Sequence, residues 1–291
     1  MIKGLSQAGL NKVENVEELI NLASANGFGA IDTNGSDLRR WIEEKGIEGA
    51  KEFLKEKEVI IGSVAFPVEW RRSEEEFKND LAILLADIKT ASYFNCKTFF
   101  TYFMPSTDEN PINYLLALTK RIKLCARLLN EYGMTLALEF VGPLHLRNKW
   151  NNQFIYDITS TLEWIEIIGE SNVGVLLDSF HWHTIGGSRQ DILDLKPHQI
   201  AYVHINDARD VPIEDVLDDD RLYPGEGVID LSGFLSALKE INYTGIVSQE
   251  ILTPEEPTET NDCLAEKSKE AFAKVFSDAG IDSPLINAVH L

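Results

Sequence analysis

Glu139, Asp178, His204 and Glu250 each close a short apolar run: Met134 to Leu138, Val173 to Leu177, Ile200 to Val203 and Gly245 to Gln249. Runs of this length and composition read as buried parallel strands. An ionisable group at the end of such a strand is costly unless it is paired or holds a metal. Four of them on four successive strands point to one shared site. Three carboxylates and one imidazole form a mostly oxygen donor set. Such a set suits Mn²⁺ best, with Mg²⁺, Co²⁺ or Zn²⁺ also admissible. No cysteine lies near these positions, which excludes a thiolate-rich zinc site.

The elements that must position these residues alternate along the whole chain. A strand around Ile2 is followed by helical spacing at Val16, Leu19, Ile20, Leu22 and Ala23. Ala30-Ile31-Asp32 opens a second strand, Val59 to Phe66 a third, and Lys97 to Phe103 a fourth. Ser73 followed by three glutamates is a helix start, because the hydroxyl caps the first turn and the acids face the helix dipole. Pro111 opens a long amphipathic helix that Gly133 ends. Four more strands lead to Glu139, Asp178, His204 and Glu250, separated by 39, 26 and 46 residues, one βα unit each. Eight such units in 291 residues predict a single-domain (β/α)8 TIM barrel over residues 1–291. A doubly wound sheet fits less well, since no GxGxxG turn follows the first strand. In a barrel all four strand ends meet on one rim, where active sites are built.

Composition narrows the function. A net charge of −20 leaves no basic stripe to displace counterions from a nucleic acid. No run of about 18 apolar residues predicts a membrane span. The N-terminal MIKGLSQAGL lacks the pattern of a signal peptide, so a cytoplasmic location is expected. Cys96, Cys125 and Cys263 are far apart and odd in number, and are expected to be small buried hydrophobes rather than disulfide partners.

The segments LALEF, LLDSFHWH, AYVHINDA, LYPGEGVIDL and GIVSQEI resemble the sugar phosphate isomerase/epimerase group with the xylose isomerase-like TIM barrel. The likeness follows the element order of nearly the whole chain and is sharpest from residue 134 to 252. It implies a metal held by Glu139, Asp178, His204 and Glu250. The group's Asp-x-x-His pattern falls on Asp178 and His181, which makes His181 a substrate contact, and its Pro-Gly-x-Gly loop falls on Pro224 to Gly227. It further implies a small carbohydrate substrate and a homo-oligomer.

The residue types suit one chemistry. A metal bound to a carbonyl and its adjacent hydroxyl acidifies the neighbouring C–H. Glu139 and Glu250 form a natural pair to remove and return that proton through a cis-enediolate. Arg209, five residues past His204, is the candidate cation beside the site; a surface pair with Asp207 or Asp210 is the alternative. Two positions depart from relatives of the group. His145 stands where ketose 3-epimerases carry a glutamate, which leaves it as a candidate substrate contact and weakens that assignment. Val141 stands where xylose isomerases carry a lysine, which disfavours a hydride shift. Isomerisation or epimerisation of a small sugar, sugar phosphate or polyol ketone is therefore expected, with an inosose-dehydratase-like lyase as the alternative. Arg147 and Lys149 are further candidates for an anionic substrate group. The acidic charge and the count of six histidines argue against a three-metal endonuclease on the same scaffold.

Overall fold

Eight parallel strands close into a barrel in a computed structural model, which describes residues 1–281. They are β1 (Ile2–Leu5), β2 (Ala30–Asn34), β3 (Ile60–Ala65), β4 (Thr98–Phe103), β5 (Thr135–Phe140), β6 (Val173–Asp178), β7 (Ile200–Ile205) and β8 (Ile246–Gln249). Each pairs with its neighbours in sequence, and β8 closes on β1 through Ile2↔Ile246. The expected barrel is therefore the observed fold. The outward faces of the strands pack on the helices in one continuous core. A small inner layer of Ala137, Leu176 and Tyr202 fills the barrel beneath the rim.

Local chemistry sets the element ends. Ser73 and Glu76 form a reciprocal capping box at the start of the helix Glu74–Tyr93. Gly46, at φ 75°, divides the polar segment after β2 into two helices, Gly35–Lys45 and Ile47–Lys57. The helix Asn261–Asp278 begins where the Thr260 side chain caps it, accepting from the Cys263 N–H. Cys96 and Cys125 are buried, and burial pushes both thiols up to about 12. Cys263 departs from expectation: it is exposed on the first turn of the Asn261–Asp278 helix. Trp70 and Phe103 pack against Trp164 in the core and form no wall of the rim. His290 lies outside the described residues.

The long loop after β7 is held by one side chain. Asp207 is fully buried, and its carboxylate accepts N–H bonds from Ala208, Gly225, Gly227 and Ile229, all at 2.9 Å. A Cβ at Gly227 would lie 2.1 Å from the Ala208 carbonyl oxygen, so no other residue fits that turn. The loop so anchored doubles back as a two-stranded ribbon, Asp207–Ala208 with Arg221–Leu222. Removing the carboxylate would strand several buried N–H donors. Asp207→Ala is expected to lower the unfolding free energy by about 3 kcal/mol, read from urea melts; an unchanged midpoint would contradict the anchoring role.

Candidate metal centre and active site

Strand register brings the four predicted residues together. Asp178 and His204 are direct partners across β6 and β7, and Glu139 lies one strand further on, opposite Leu176. Glu250 follows the last residue of β8, and its N–H bonds to the Ile205 carbonyl of β7. One ligand atom from each of Glu139, Asp178, His204 and Glu250 lies within 4.8 Å of the others. Glu139, Asp178 and His204 are buried, and Glu250 is mostly so.

The donor set fits a divalent cation. Among the described residues, the buried Glu139 Oε1 and both His204 ring nitrogens have no hydrogen-bond partner. His204 Nδ1 faces Glu250 Oε1 at 3.6 Å and Glu139 Oε1 at 3.9 Å. Glu139 Oε1 and His204 Nδ1, buried, unpaired and facing one another, are the kind of atoms a metal ion satisfies.

The other carboxylate oxygens are fixed from behind. Asp178 caps the helix Ser179–Thr184, accepting from the Phe180 and His181 N–H groups. Its second oxygen accepts from Asn206 Nδ2 at 3.0 Å and from Arg221 Nη1 at 3.3 Å. Asn206 also donates to the Glu250 carbonyl, and Ser179 donates to Asn206. Glu250 Oε2 takes a 2.7 Å bond from Arg221 Nη1. Arg221, with its side chain 1% exposed, also binds Asp218 at 2.9 Å and stacks 4.7 Å over Phe180.

These contacts divide the protonation states. Burial, reinforced by Glu250 and Asp178, holds the Glu139 carboxyl well above the usual carboxylate range. Burial works in the same direction on Glu250, but His204 and Arg221 overcome it and keep that group well below the range. His204 is buried, which disfavours its charge, yet the adjacent Glu250, Asp32 and Glu139 carboxylates hold its imidazolium well above the ordinary value. Burial lowers His181, so it remains a neutral ring.

His181 is buried where the Asp-x-x-His pattern placed it, 3.8 Å from Glu139 and 3.5 Å from Arg221 Nη2. Arg209 is corrected: it is more than half exposed and binds Asp220 at 2.7 Å, because the ribbon turns its side chain outward. The arginine beside the site is Arg221, three residues before Pro224. Asp218 folds inward with it, bound to the Arg221 guanidinium. His145 is exposed on the short helix Leu144–Arg147. Arg147 stacks on Tyr156 at 4.8 Å and donates to the Thr184 carbonyl. Lys149 lines a neighbouring cleft with Tyr102, Arg71 and Trp150. A second cavity opens onto His204 and Glu250 and is walled by Ser6, Gln7, Asn15, Asn34 and Phe100.

A family model described as the xylose isomerase-like TIM barrel matches residues 20–274. The chain belongs to the xylose isomerase-like TIM-barrel family. Within it, an inosose isomerase of Bacillus velezensis is 38% identical over 147 residues, covering 50% of either chain. The chain thus spans about half the length of the first curated relatives it matches. The inosose isomerase of Halalkalibacterium halodurans is 28% identical over 86% of this chain and 87% of its own. A xylose isomerase domain protein from Alicyclobacillus acidocaldarius superposes with a TM-score of 0.88 at 30% identity, covering 96% of this chain and 99% of the other.

Metal binding should release protons. Glu139 and His204 hold theirs in the metal-free centre, and both must lose them to become ligands. Affinity for Mn²⁺ is therefore expected to rise with pH and to fall as the medium is acidified. Calorimetric titrations in buffers of different ionisation enthalpy should show a buffer-dependent heat. A buffer-independent heat would contradict the protonation pattern.

Proposed function

We propose that the protein is a divalent-metal-dependent isomerase of a cyclic polyol ketone, an inosose or a close analogue. The observation that carries this is the convergence of Glu139, Asp178, His204 and Glu250 within 4.8 Å, with a buried Glu139 oxygen left unpaired. The likeness to inosose isomerases supports the substrate class.

The cavity lining supports a neutral, hydroxyl-rich ring. Ser6, Gln7, Asn15 and Asn34 offer amide and hydroxyl groups, and Phe100 offers a flat apolar face. Among the described residues of that lining, the cation is Arg40, already bound to Asp37 at 2.9 Å. A phosphorylated substrate would find no free cation there.

Glu139, Asp178, His204 and Glu250 would hold the cation, and the three oxygen donors with one imidazole favour Mn²⁺. The chemistry that a bound divalent cation supplies is polarisation of the substrate carbonyl, which acidifies the adjacent C–H. Glu139 and Glu250 then serve as the proton-transfer pair: the carboxylate form of one takes the C–H proton, the acid form of the other delivers a proton at the neighbouring carbon, and the substrate hydroxyl proton passes to the former carbonyl oxygen. Arg221 keeps Glu250 ionised in the resting centre, ready to take a proton. His181, beside Glu139 at 3.8 Å, would hydrogen-bond the oxygen on which charge develops.

Glu139→Gln and Glu250→Gln are each expected to cut solvent-deuterium incorporation into an inosose by at least about a thousandfold. NMR in D₂O reads exchange and product mass together, so loss of water would reveal a dehydratase instead. Wild-type turnover in either variant would contradict the proton-transfer pair. Activity lost in EDTA should return with Mn²⁺, and full turnover in protein shown metal-free by elemental analysis would refute the metal requirement.

A further inference from the structure

Behind the imidazole of His204 lies a polar group that the proton-transfer chemistry does not use. Asp32, the middle residue of β2, has its side chain only 4% exposed. One of its oxygens, Oδ1, accepts from Ser63 Oγ at 2.6 Å and from the Tyr202 hydroxyl. The other, Oδ2, has no hydrogen-bond partner among the described residues and faces His204 Nε2 at 3.7 Å.

The fold is arranged to keep this carboxylate in place. Ser63 is the register partner of Asp32 across β2 and β3. Tyr202 reaches Asp32 from β7 through the barrel interior, and a Cβ on Gly62 would lie 2.8 Å from its hydroxyl oxygen. Glycine at position 62 therefore leaves the passage open. Tyr202 and Phe100 also meet the His204 ring edge-to-face, at 5.6 and 5.5 Å between centroids. The plane of the imidazole is thus set by two aromatic rings, which leaves its tautomer to be set by the groups at its two nitrogens.

Those groups differ. Nδ1 looks at Glu139 and Glu250, and Nε2 looks at Asp32. Asp32 lies outside the four-residue cluster of ligand atoms. We propose that Asp32 is a positioning residue that takes the Nε2–H of His204, fixing the tautomer whose Nδ1 lone pair is presented to the metal, with Ser63 and Tyr202 as the clamp on Asp32. A carboxylate at the far nitrogen of a metal-binding histidine fixes ring orientation and raises ligand basicity.

The inference rests on the metal-centre reading, and one titration distinguishes the two. Mn²⁺ affinity is measured by calorimetry for the wild type, Asp32→Asn and Tyr202→Phe, with fold checked by thermal melting in EDTA. Asparagine keeps an oxygen for Ser63 and Tyr202 but turns a donor toward Nε2. Asp32→Asn is therefore expected to weaken Mn²⁺ binding by about 10- to 100-fold. Tyr202→Phe, which only loosens the carboxylate, should weaken it by about threefold to tenfold. In the Zn²⁺-loaded wild type, ¹⁵N NMR of the imidazoles should show one ring protonated at Nε2 and ligated at Nδ1, and Asp32→Asn should shift that pattern. A wild type that binds no divalent metal overturns the metal-centre reading and the inference with it. A wild type that binds Mn²⁺, beside folded variants with unchanged affinity and ¹⁵N pattern, overturns the role of Asp32 alone. If Asp32→Asn does not fold, unchanged affinity in Tyr202→Phe overturns it.

Discussion

The rim of this barrel depends on one electrostatic constraint: several carboxylates must share a nearly dry space. Asp178 and Glu139 are buried, and Glu250 is largely so. Like charges this close repel strongly where water cannot screen them. Arg221 relieves part of that repulsion by binding Asp178 and Glu250 at once, and Asn206 relieves another part through neutral donors. What remains at the centre are Glu139 Oε1 and His204 Nδ1, buried and without partners among the described residues. A small divalent cation would complete it.

From that constraint follows the architecture of the long β7–β8 connection. Arg221 can sit in the centre only if the loop returns across the barrel mouth. Asp207 makes it return by collecting backbone N–H groups from both sides of the turn, and the glycines of the Pro-Gly-x-Gly segment allow the close approach. The loop is thus a part of the charge balance: it ties Asp207 to Asp178 and Glu250, two of the candidate ligands, through Arg221. Helix capping plays a similar part at Asp178, where one oxygen starts a helix and the other is held in the site by Asn206 and Arg221. The same helix start brings His181 to the pocket.

The barrel and the four candidate ligands were readable in the sequence because both obey local rules. A buried strand is a short apolar run, and an ionisable residue at its end stands out against it. Contacts made across long loops obey no such rule. Arg209 looked suitable by its distance along the chain from His204, but the ribbon turns it outward and Arg221 enters instead. Arg221 did carry a signal, a single cation between an acidic run and the Pro-Gly-x-Gly loop, which spacing alone does not rank. Asp32 was visible after Ala30 and Ile31, yet its apolar run is too short to mark it as a strand-end carboxylate. Its meaning depends on Tyr202 arriving from the other side of the barrel, which is a property of closure. His145 illustrates the same limit, since a short helix carries it to the surface.

The most direct test of the metal centre is anomalous X-ray scattering from crystals equilibrated with Mn²⁺. The expected result is a single strong peak at the barrel mouth, within about 2.3 Å of oxygens of Glu139, Asp178 and Glu250 and of Nδ1 of His204. A peak elsewhere on the protein, or an empty rim at saturating Mn²⁺, would contradict the reading of these four strand ends as one metal site.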